Sequence, residues 1–153
     1  MCMVARIFRR SLISGSAASL LSMAVAALIA KRESGDSDGA LNAVSHIAWG
    51  GPPEQQAARP GLNTFVGAAL HHGASVFWAL LFEGVFGERA RKDVASATAG
   101  AALSATAAYV VDYHVVPRRF QPGFEARMSR SSMFFVYAAL GAGFLLASQI
   151  KKA

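Results

Sequence analysis

The stretch that decides the fold is Leu62 to Phe82, LNTFVGAALHHGASVFWALLF, 21 residues without one Lys, Arg, Asp or Glu. An α-helix rises about 1.5 Å per residue, so about 20 residues cross the ~30 Å hydrocarbon core of a bilayer. The run is about twice as long as a β-barrel strand and its polarity does not alternate. It reads as a transmembrane helix. The oddity is His71 and His72, adjacent and near the middle of it.

Three further runs have the same character: Ser11–Ala30, Val94–Val116 and Ser132–Ile150. Composition agrees, with 54% hydrophobic and only 16% charged residues, against about 25% charged in a typical soluble domain. The expected architecture is all-α: one integral membrane domain over residues 1–153, a bundle of four transmembrane helices at about 11–30, 62–82, 94–116 and 132–150. The first run follows RIFRR and contains VAA at 25–27, features shared with a cleaved signal peptide. Its apolar length exceeds the usual ~7–15 residues of a signal core, which favours a retained helix.

Packing faces can be picked out. Ser14, Ala18, Ser22 and Ala26 recur every four residues, as do Gly100, Ser104 and Ala108, and Ala139, Gly143 and Ala147. Small residues at that spacing let helix backbones approach closely, because lipid supplies no hydrophobic drive for association. The first loop, 31–61, begins with the polar KRESGDSDG and then turns amphipathic. From Leu41 to Trp49, Leu41, Val44, Ile47 and Ala48 share one face, and Asn42, Ser45 and His46 lie towards another. Nine residues cannot span, so the expectation is a short interfacial helix at the membrane surface, capped by Asp38 and stopped by Gly50-Gly51-Pro52-Pro53. Residues 84–93 form a tight basic turn, and Pro117 ends the third helix.

The formal charge of +6 comes from basic residues at the edges of apolar runs, where they meet lipid headgroups. No continuous basic face points to nucleic acid. The N-tail, the 84–93 turn and the C-tail carry Arg6, Arg9, Arg10, Arg89, Arg91, Lys92, Lys151 and Lys152 in few residues. The opposite side spreads Lys31, Arg32, Arg59, Arg118, Arg119, Arg127 and Arg130 over longer loops with more acids, so both termini are expected in the cytoplasm. A lone cysteine, Cys2, excludes an internal disulfide framework and a Cys-based zinc site.

Ionisable groups inside spans are costly and mark function by default. Here they are His71, His72, Asp112 and His114, with Glu83 at a boundary. Adjacent helical residues diverge by about 100°, so His71 and His72 cannot aim at one point. A site across helices is open: His46, His72 and His114 are the candidate ligands of a metal ion, and two of them on different helices would suit haem. The alternative is a polar seam or proton relay of His71, His72, Glu83 and Asp112. His71 or His72 then bonds Ser75, Ser104 or a main-chain carbonyl, with His71 sharing a face with Ser75 and Trp78, and spacing alone does not say which of the two histidines faces inward. Asp112 pairs with Arg118 or Arg119, and Glu83 with Arg89 or Arg91. Arg118, Arg119 and Trp49 are candidate contacts to headgroups or a partner. No nucleophile elbow, P-loop or dinucleotide fingerprint is present, which argues against an enzyme.

SHIAWG at 45–50, HHGASVFWALLFE at 71–83 and DYHVVPRRFQPGFEARMSRSSMFFVY at 112–137 resemble, in order and spacing, a group of small uncharacterised proteobacterial inner-membrane proteins. The resemblance spans roughly residues 41–147 and implies a multi-pass protein of a bacterial inner membrane, with no activity or catalytic residue to transfer. It puts emphasis on His46, Trp49, His72, Glu83, Asp112 and Pro117. Three functions compete: an accessory or structural subunit docking a membrane partner or a second copy, a haem- or metal-binding membrane protein, and a small proton-linked carrier that works as an oligomer.

Overall fold

The computed structural model describes residues 3–150; Cys2, Lys151 and Lys152, named above, lie outside the described residues. In chain order the helices are α1 (Met3–Ser34), α2 (Gly39–Val44), α3 (His46–Trp49), α4 (Pro53–Ala57), α5 (Leu62–Val85), α6 (Gly87–Ala90), α7 (Val94–Val110) and α8 (Arg130–Gln149). A π-helical turn, Val111–Val115, continues α7, and short 3₁₀ turns follow at Arg118–Phe120 and Phe124–Ala126. No strand occurs among the described residues. Four helices, α1, α5, α7 with its π turn, and α8, are long and apolar enough to cross a membrane. The fold is an all-α bundle, as the sequence implied.

Helix α1 is longer than its apolar run at both ends. Arg, Lys and Glu are good helix formers, and each extension finds a partner. Arg10 bonds Glu88 at 2.9 Å. Glu33 accepts from the Ser129 amide at 2.7 Å and from the Ser132 hydroxyl, fastening the end of α1 to the start of α8. Asp93 caps α7 by accepting from the amides of Ala95 and Ser96, and Ser129 caps α8.

The core forms where α1 lies between α5 and α8. Ser14, Ala18, Ser22 and Ala26 are all buried, so the row of small residues is the packing face. A Cβ on Gly143 would fall on the Ala18 backbone, and one on Gly15 would reach within 2.6 Å of Val76 Cα. Only glycine permits either approach. On α7, Gly100, Ser104 and Ala108 are buried, with Gly100 against Phe86. Phe82 of α5 stacks on Phe144 of α8 at 5.3 Å between ring centroids. Leu20, Leu28, Phe65, Phe134 and Leu146 are exposed on the outside, an apolar rim suited to lipid.

The first loop departs from expectation. The short helix exists, in two pieces, α2 and α3, but its polar side faces the protein. Asn42, Ser45 and His46 are buried, as is Val44 of the apolar face, whereas Leu41 and Ile47 are half-exposed and Ala48 is exposed. Each of these buried side chains has at least one partner. The Thr64 hydroxyl donates to Asn42 Oδ1 at 2.6 Å, and the Ser45 hydroxyl donates to the Asn42 carbonyl at 2.7 Å. Gly67 makes the approach feasible, since a Cβ there would collide with the Leu41 carbonyl. Asp38 makes no side-chain cap; only its carbonyl accepts, from the Asn42 amide.

Candidate functional site

His71 Nε2 lies 2.8 Å from Ser22 Oγ on α1, and its ring meets Phe124 edge-on at 5.9 Å. Ser75 donates to the His71 carbonyl one turn back, at 2.8 Å. Trp78, one turn on, is buried beside them, but the aromatic partner of His71 is Phe124 rather than the Trp78 expected from helical spacing. His72 is half-buried and makes no hydrogen bond among the described residues. Helix α5 therefore gives His71, not His72, to the interior.

Asp112 sits in the π turn that ends the third span. Such turns insert one residue into a helix and re-aim its side chains. The expected pairing with Arg118 or Arg119 does not form. Asp112 Oδ2 accepts from the Tyr137 hydroxyl of α8 at 2.7 Å, and Asp112 has no ion-pair partner among the described residues. Arg119 instead donates to the carbonyls of His46 and Ile47 at 2.7 and 2.8 Å, which pins α3. The bonds use Nη1 alone, and the Arg119 side chain stays exposed.

Between these groups lies a cavity of ≈ 250 Å³, lined by Ser22, His71, Ser75, Trp78, Asp112 and Tyr137 and walled by apolar side chains including Val44, Phe120 and Phe124. It sits in the half of the bundle nearer the first loop. It contains one carboxylate and no Lys or Arg.

A second polar knot lies at the opposite end. Glu83, with only 1% of its side chain exposed, accepts from Arg91 Nη1 at 2.9 Å through Oε2 and from Ser14 Oγ at 2.5 Å through Oε1. Gly87 leaves the room: a Cβ there would lie 2.5 Å from Glu83 Oε2 and 2.6 Å from Arg91 Nη2. The pairing with Arg91 is one of the two the sequence offered. Beside it, Glu88 is exposed, and the hydrogen bond from Arg10 holds its carboxyl below the ordinary 4.5. Asp93, in the same turn, is held below 3.8 by hydrogen bonds from Ser96 and then Ala95.

His46 is buried, with Nδ1 2.8 Å from the Ala43 carbonyl and Nε2 unpartnered. His114 is exposed, edge-on to Tyr109 at 5.6 Å, and faces a separate recess of ≈ 580 Å³ with Arg118 and Glu125. Trp49 is exposed at the end of α3. The candidate metal ligands His46, His72 and His114 are not brought together, and no three His, Cys, Asp or Glu side chains converge among the described residues.

Sequence reasoning passed over two members of the cavity wall. In the sequence Ser22 stands out only as a small packing residue, and Tyr137 only as an aromatic residue of the fourth span. Their roles depend on which helix faces which, a fact that no spacing within one helix carries.

Comparison with known proteins places nothing beside this chain: no family model, no curated protein and no solved structure matches it.

Proposed function

We propose that the chain is an accessory or structural subunit of a membrane assembly, built to receive another transmembrane helix on α7 and α8. The observation that carries this is the outer face of α7. Lipid-facing helices normally present Leu, Ile, Val and Phe, whereas small residues mark helix–helix contact. Thr98, Ala102 and Thr106 are exposed at four-residue spacing on α7, and with Ala138 and Ala142 of α8 they line a groove of ≈ 670 Å³. Small side chains on both walls leave room for a second helix to pack in that groove. The resemblance to small proteobacterial proteins supports a bacterial inner membrane, and the clustering of basic residues supports cytoplasmic termini.

Cross-linking in native membranes tests this reading. In a Cys2→Ser background, Thr98→Cys and Thr106→Cys are treated with a short bifunctional thiol–amine reagent. The expected product is a discrete adduct, of twice the chain mass for a second copy or of another fixed mass for a different partner. It should vanish when Ala102→Leu fills the groove. A protein that stays uncross-linked at both positions has lipid on this face, and the reading fails.

A further inference from the structure

The cavity between α5, the π turn and α8 has unmet chemistry of one sign. The Ser22 hydroxyl has a single proton, and the Ala18 carbonyl lies 2.7 Å from its oxygen. Assigning the proton to that carbonyl makes Ser22 Oγ the acceptor and His71 Nε2–H the donor. His71 Nδ1 is then a bare lone pair, with no partner among the described residues. Asp112 uses Oδ2 for Tyr137 and leaves Oδ1 equally without a partner. Both residues line the same cavity. Two acceptors, one of them a carboxylate with no cation nearby, call for a ligand that donates hydrogens and carries positive charge. The remaining wall, with Trp78, Phe120 and Phe124, is aromatic and apolar, which suits a hydrophobic body and adds cation–π attraction.

We propose that this cavity is a binding site for a small primary ammonium ion with an apolar, ring-sized body. Its ammonium group donates to Asp112 Oδ1 and His71 Nδ1, and its body lies among Trp78, Phe120 and Phe124. The site is separate from the α7–α8 groove and does not depend on the subunit reading.

The test uses detergent-purified full-length protein and 2-phenylethylammonium, with propylbenzene as its uncharged isostere. Tryptophan fluorescence is read in a Trp49→Phe background, which leaves Trp78 as the reporter. The expected result is saturable quenching by 2-phenylethylammonium and much weaker binding of propylbenzene. Asp112→Asn should weaken the ammonium by about tenfold or more, since a charge-assisted hydrogen bond is lost, with little effect on propylbenzene. His72→Asn should bind as the parent does. Should Asp112→Asn fail to fold, Ala74→Phe serves instead, because Ala74 lines the cavity from an exposed position on α5; it should abolish quenching. The proposal is overturned if propylbenzene binds as tightly as the cation, if quenching is absent at millimolar ligand, or if it survives both Asp112→Asn and Ala74→Phe.

Discussion

Two carboxylates sit within the bundle, and their surroundings differ in kind. Glu83 has both oxygens engaged, by Arg91 and by Ser14, in a pocket so close-packed that a Cβ on Gly87 would have to displace the ion pair. Asp112 has one oxygen engaged, by Tyr137, and the other beside an open cavity. The first arrangement neutralises its charge inside the protein and ties α1, α5 and the 86–93 turn together. The second holds its charge in position without neutralising it. A closed ion pair serves structure; a carboxylate left half-partnered beside a cavity is available to something else.

The contrast can be broken at the closed end with the largest effect. Arg91→Ala strands a buried carboxylate, and such losses cost about 3 kcal/mol. Unfolding in detergent should show it, and the double variant Arg91→Ala with Glu83→Gln should recover most of the loss, since no charge is then left unpaired. At the open end, Tyr137→Phe removes one interhelical hydrogen bond and should cost about 1 kcal/mol or less. Equal losses at the two ends would erase the distinction.

The smallest effect is a pH dependence that belongs to the exposed turn. The folded-state value of Asp93 lies below its ordinary 3.8, so its contribution is present above that value and fades as pH falls through the lower folded value. Thermal unfolding of the parent should weaken as pH falls below about 4. Asp93→Asn, which still caps the helix but cannot titrate, should show a shallower fall over the same range.

Much of the bundle was written in local pattern. Span lengths follow from runs of uncharged residues, and the α1 packing face follows from Ser14, Ala18, Ser22 and Ala26. Glu83 and Arg91 are eight residues apart across one tight turn, so their pairing was also within reach. Asp112 and Tyr137 are 25 residues apart on different spans, and the π turn that aims Asp112 leaves no mark in composition. The arginines after Pro117 were nearer in sequence and drew the wrong pairing. The first loop misled for a related reason. An amphipathic nine-residue segment looks the same whether its polar face meets water or the side chains of another helix, and Gly67 is the only residue that hints at the second.

The seating of α1 between α5 and α8 has a consequence for biogenesis. Of the four spans, α1 leaves the ribosome first and α8 last, yet Gly143 of α8 closes on Ala18 of α1, and Ser129 and Ser132 close on Glu33. Until the fourth span is inserted, the side of α1 that meets α8 has no native neighbour in this chain. During that interval the nascent chain carries an unfilled helix-sized slot, open to pairing elsewhere until α8 arrives. Assembly of this bundle is therefore completed from its last helix, and a stall before α8 leaves a chain that is inserted but not folded.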